Sequence, residues 1–158
     1  MTTVDMILIV AAVSTGLFTD LVMTLLAFFQ RTWKDLTDSE FSLEIQRFLG
    51  VARTHPLNYG LVTASVLAPA AALILFRGSA EDPAFVLVLA GLVTFIAGPV
   101  LVSRFFVEPI YDVFLGWKVE APPEGWREAR DRYFRLNVIR FLGSGAAFVL
   151  FLAGLALA

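Results

Sequence analysis

Ionisable and hydrogen-bonding side chains inside long apolar stretches are rare, and each one is a candidate for chemistry. Asp20 is the deepest. It lies within the stretch MILIVAAVSTGLFTDLVMTLLAFF, 11 residues before Arg31, about 16 Å along a helix from that charged boundary. Gly16, Asp20 and Thr24 recur at i, i+4 and i+8, a small-polar stripe on one helix face. A carboxylate buried there suits a proton acceptor, because desolvation disfavours its charge. The alternative is a structural hydrogen bond to a Ser or Thr on a neighbouring helix, and the sequence weighs the two evenly.

The other polar groups gather elsewhere. His55, Asn58 and Tyr59 open one apolar stretch, while Arg104, Glu108 and Asp112 recur at i, i+4 and i+8 as another ends, with Pro109 disturbing that turn. Asn137 and Arg140 open a further stretch, continued along one face by Phe141, Ser144 and Phe148. Helical connectivity brings all of these to one end, where they can line a single cavity. For Arg104, Glu108 and Arg140 the simpler reading is snorkelling with an ion pair. For His55, beside Pro56, it is a helix cap. Gly143 to Ala147 (GSGAA) reads as helix-packing surface.

Composition says what must position these groups. The chain has 158 residues, 58% hydrophobic and 16% charged, with a mean hydropathy of +0.78. Soluble domains are less apolar and more charged, so an ordinary soluble enzyme, a disordered chain and a nucleic-acid binder are all excluded. A formal charge of −2 offers no basic surplus for phosphates. There is no cysteine and only one histidine, which removes disulfides, thiolate chemistry, all-His metal sites and bis-His haem. No nucleotide, nucleophile-elbow, zincin, calcium-loop or di-iron E-x-x-H motif is present, and no pattern demands a cofactor or a metal.

Four stretches have the length of a membrane span, at about 6–29, 57–76, 84–106 and 136–158. The expectation is an all-α, single-domain transmembrane four-helix bundle over residues 1–158. The third span carries Gly98-Pro99, which should bend it. The first lacks a basic leader and is too long for a signal peptide, so it reads as a retained helix. Eleven of the twelve cations fall in or beside the two long connections, leaving only Arg77 on the other side. The positive-inside rule then places those loops in the cytoplasm and both termini outside, with a bacterial inner membrane as the default. Residues 40–53 put Phe41, Ile45, Phe48, Leu49 and Ala52 on one stripe, an amphipathic helix for the interface or the bundle mouth. Trp33, Trp117 and Trp126 all lie on this side and read as interfacial anchors.

Residues 105–140 (FFVEPIYDVFLGWKVEAPPEGWREARDRYFRLNVIR) resemble a large family of small four-helix membrane proteins that includes the fungal anthrone oxygenases. Glu108-Pro109-Ile110, Trp117, Pro122-Pro123, Trp126, Arg130, Arg132 and Arg140 carry the likeness. The first helix and the segment before His55-Pro56 are similar in placement, so it spans essentially the whole chain. Val107 and Tyr111 stand where the family has asparagine, and Asn137 stands where it has histidine.

The resemblance implies a cofactor-independent oxygenation of an anthrone-like polyketide to a quinone. That chemistry needs a base, an oxyanion donor and an apolar pocket for flat rings. Asp20 or Glu108 would be the base, and Arg140 and Asn137 the donors. Phe141, Phe148 and Trp117 would form the wall facing the rings, with His55, Asn58, Tyr59, Arg104, Tyr111 and Ser144 completing the binding site. The other reading is a non-catalytic component: an assembly subunit, a lipid or quinone binder, or a transport accessory. The lack of an internal repeat argues against an autonomous carrier, although a homo-oligomer would supply one. In both readings the partner is a hydrophobic small molecule or lipid.

Overall fold

A computed structural model describes residues 1–76 and 81–158 of the chain. Arg77, the one cation expected on the far side, lies outside the described residues. Among the described residues, four helices are long and apolar enough to cross a membrane: α1 Thr3–Trp33, α3 Pro56–Leu75, α4 Pro83–Leu115 and α5 Trp126–Leu157. Between the first two lies a shorter helix, α2 Asp38–Ala52. α1 packs on α3 and α5, α5 on α4, and α3 on α4, which closes a ring of four. The fold is an all-α bundle of the expected class, and its apolar spans make it a multi-pass membrane protein.

Local signals explain where the helices begin. Thr2 and Asp5 form a reciprocal capping box at the start of α1, and Thr37 and Glu40 form another at the start of α2. α3 and α4 each open on a proline, at Pro56 and Pro83, where the missing N–H costs nothing. His55 caps α3 through Nδ1, which accepts from the Leu57 N–H at 3.3 Å.

The core has two parts. In the spans, Phe18, Phe95, Val88, Ala147 and Phe151 are buried among the four helices. The Gly98-Pro99 irregularity appears as a π turn over Ile96–Val100, since the proline ring and missing N–H break the α ladder. A Cβ on Gly98 would stand 3.1 Å from the Gly143 Cα, so α4 and α5 meet there backbone to backbone. Gly143, Ser144 and Ala147 thus serve as packing surface, as the GSGAA pattern suggests. The outer face, with Leu67, Ile74, Val93 and Leu142 exposed, needs apolar surroundings.

The second part lies at the end that carries both long connections. Phe41 of α2 is wholly buried and meets the rings of Trp33, Phe114, Trp117, Trp126 and Phe134. Gln46 Nε2 donates to the carbonyls of Phe114 and Trp117, both at 3.0 Å, which ties α2 to the end of α4. The stripe on residues 40–53 therefore covers the bundle mouth. The tryptophans correct an expectation: Trp33 and Trp126 are buried and Trp117 is half-buried, so they build this aromatic core and are not splayed as surface anchors. α5 also runs unbroken for 32 residues, its charged first turns continuing directly into the span. Arg130 in those turns lies over the Trp126 ring and donates to the Lys34 carbonyl at 3.1 Å, holding the α1–α2 connection.

Candidate functional site

Two adjoining cavities lie at the loop-rich end, under α2. The larger, about 300 Å³, is mostly apolar. α1 supplies Phe18, Leu21, Val22, Thr24, Leu25 and Phe29, α2 supplies Phe48 and Ala52, and the start of α3 supplies His55, Leu57 and Asn58. Leu21, Phe29 and Leu57 among these are exposed, so this chamber is open and not sealed inside the bundle. The smaller, about 170 Å³, is the more polar of the two: its surface is still mainly apolar, but Arg53, Asn58, Tyr59, Ser103, Arg104 and Glu108 are among its walls. Ala52, Asn58, Tyr111 and Arg140 border both chambers.

Arg140 is the pivot. It is only 8% exposed, its Nη1 donates to Asn137 Oδ1 at 2.8 Å, and its guanidinium lies 5.7 Å from the centre of the Phe18 ring. Among the described residues its Nε is buried without a partner, as are Asn137 Nδ2 and the Tyr133 hydroxyl. Asn137 is wholly buried and reaches the chambers only through Arg140. Tyr133, whose ring sits 5.8 Å from that of Tyr111, escaped the sequence reading because its charged helical stretch gave no sign of turning a ring inward.

The acids of α4 are engaged from α2. Arg53 Nη2 lies 2.8 Å from Glu108 Oε2, and Nη1 lies 2.8 Å from Asp112 Oδ1. The Asp112 hydrogen bond, reinforced by Glu108, holds the Arg53 charge more firmly than usual and raises its pKa. This ion pair bridges two helices instead of joining Arg104 or Arg140 to Glu108, as the snorkelling reading had it. Arg104 is exposed and makes no salt bridge among the described residues.

Of the residues expected at the site, His55, Asn58, Tyr59, Arg104, Glu108, Tyr111 and Arg140 line the chambers. The others need correction. Asp20 is exposed on the outer face of α1 and lines neither chamber, although Thr24 of the same stripe does, so a buried base at Asp20 is not what this fold builds. Trp117 lies against Phe114, with ring centres 4.9 Å apart, away from both chambers. Phe141 and Phe148 pack into the bundle core, and Ser144 is buried with its hydroxyl donating to the Phe141 carbonyl at 3.1 Å. The phenylalanines that line the larger chamber are instead Phe18, Phe29 and Phe48, which no sequence pattern separates from lipid-facing ones.

Comparison with protein-family models, curated proteins and solved structures finds no match to this chain.

Proposed function

We propose that this chain is an inner-membrane protein, with its long loops cytoplasmic, that takes a hydrophobic small molecule from the bilayer and acts on it as an anthrone oxygenase-like, cofactor-independent oxidoreductase. The observation that carries this reading is the open apolar chamber walled by α1, α2 and the start of α3, which shares Ala52, Asn58, Tyr111 and Arg140 with a more polar chamber containing Glu108. A flat ring system would lie against Phe18, Phe29 and Phe48. A carboxylate and a guanidinium border the polar side, the pair of groups that enolate chemistry requires.

In that chemistry Glu108 takes a proton from the ring methylene, and the electron pair moves onto the carbonyl oxygen facing Arg140. Dioxygen takes up those electrons and bonds to the ring carbon. Loss of water from the resulting hydroperoxide leaves the second carbonyl of the quinone. One oxygen atom enters the product and the other leaves as water. Asn137 is a positioning residue that holds the guanidinium in place through its 2.8 Å hydrogen bond.

A non-catalytic binder is the second reading. It is favoured by the engagement of Glu108 Oε2 by Arg53, which leaves that oxygen poorly placed to accept a proton. Protein in nanodiscs, supplied with anthrone and air, separates the two. Oxygenase action gives quinone absorbance and oxygen uptake above empty nanodiscs, both lost in Glu108→Gln. Saturable anthrone binding with no added oxidation supports the binder, and failure to bind anthrone at all removes the anthrone-like ligand from both.

A further inference from the structure

We infer that the ligand of these chambers carries its own anionic oxygen group, a carboxylate or phosphate ester on an apolar body, seated at Arg140. This rests on the second reading of the chambers, as a binding site in which Arg140 meets the ligand's own anion and not an enolate oxygen, and names the chemical class that the site selects. The reason is a missing counter-ion. Other arginines enclosed at this end have an acid: Arg53 holds Glu108 and Asp112, and Arg130 holds Asp131 at 3.0 Å. Arg140, more than nine-tenths buried, has none among the described residues, and its one hydrogen bond goes to the neutral Asn137. A buried cation without an anion is costly to keep. Both chambers border it, so an anion arriving through either can complete the pair.

The charges around it agree. Around the polar chamber Arg53, Glu108 and Asp112 sum to one negative charge, against two positive charges on Arg104 and Arg140, neither of which forms a salt bridge among the described residues. The apolar chamber holds no carboxylate at all. At about 300 Å³ it sits at the lower end of small-molecule sites, room for one ring system or one chain. Two acyl chains exceed it, so a phospholipid would insert only its headgroup and keep its tails outside. A free amphiphilic acid and an anionic lipid headgroup are the two sources of the same chemistry.

The test uses cis-parinaric acid and its methyl ester, read by fluorescence on the protein in phosphatidylcholine nanodiscs at pH 8. The acid should bind roughly 10- to 100-fold more tightly than the ester, the range expected of a charge-assisted hydrogen bond. Arg140→Gln should abolish the preference, bringing the acid down to the ester's affinity for that variant, with folding checked by circular dichroism. Arg140→Lys, which keeps the charge, should keep the preference even if the Gln variant folds poorly. Equal binding of acid and ester to the natural chain overturns the inference, as does a preference that survives Arg140→Gln. If both probes bind equally and Ala52→Phe blocks both, the chamber is a ligand site and only the anionic class is wrong. If neither binds, the chamber reading falls with it. A second arm exchanges part of the lipid for phosphatidylglycerol. Displacement of the acid, with phosphatidylglycerol retained by the natural chain and lost in Arg140→Gln on native mass spectrometry, assigns the anion to a headgroup. An undisplaced acid assigns it to a free amphiphile.

Discussion

Arg53 and Glu108 stand 55 residues apart in the chain, yet their side chains meet at 2.8 Å, clasping the end of α2 to α4 above the polar chamber. Asp112 makes the same arginine a two-acid clasp. Both members of the central pair keep more than a quarter of their side-chain surface exposed, so solvent weakens the interaction. Arg53→Gln should therefore cost only about 0.5–1 kcal/mol of overall stability. Its larger effect is local: amide exchange at the C-terminal end of α2 should accelerate while the spans stay protected. Unchanged exchange there would mean that Phe41 and Gln46 hold α2 without the clasp.

Phe41 supplies most of that hold. It is wholly buried among five aromatic neighbours, so Phe41→Ala leaves a cavity and should cost about 3–5 kcal/mol. Because Phe48 and Ala52 of the same helix wall the larger chamber, ligand retention should fall with it. Thermal unfolding followed by tryptophan fluorescence reads the first effect. Equilibrium binding of a chamber ligand reads the second.

The Gly98–Gly143 contact makes a paired prediction. Gly98→Val places bulk against the backbone of α5 and should destabilise by roughly 1–3 kcal/mol. A Cβ on Gly50 of α2 meets nothing within 4 Å, so Gly50→Ala should be neutral or slightly stabilising through helix propensity. Similar melting temperatures for the two variants would contradict the close approach of α4 and α5.

Glu40 sets a pH dependence. The hydrogen bonds from Thr37, side chain first and then backbone, hold its carboxyl below the usual carboxylate range. A carboxylate with a depressed folded value contributes above its ordinary value and loses that contribution as pH falls through the folded one. Exchange at the first turn of α2 should therefore quicken as pH drops below about 4, after correction for intrinsic rates. Glu40→Gln should flatten that profile.

Much of the fold was legible because its signals are local. Long apolar runs located the four spans, His55 beside Pro56 marked the start of α3, and the stripe on residues 40–53 correctly picked out the buried face of α2. The face of a spanning helix was not legible, for a physical reason. Lipid tails are as apolar as a protein core, so periodicity cannot separate inward from outward when both sides are hydrophobic. Asp20 was misplaced for that reason, and Phe141 and Phe148 were expected in the wall that Phe18 and Phe29 provide. The tryptophans failed differently, since an amphipathic ring suits an aqueous interface or an aromatic core equally well until its neighbours are known. At the site, the polar residues at the helix starts and ends were found because they cluster near span boundaries. The Arg53 clasp joins two elements far apart in sequence, and nothing local announces it.

Anthrone binding to the chain in nanodiscs, measured for the natural sequence and for Ala52→Phe, tests the chamber most directly. Ala52 borders both chambers, and a phenylalanine there fills space that the ligand needs. Saturable binding to the natural chain, weakened at least tenfold in a folded Ala52→Phe, is the expected result. Binding that is equally strong in both, or no stronger than to empty nanodiscs, would contradict a ligand site beneath α2.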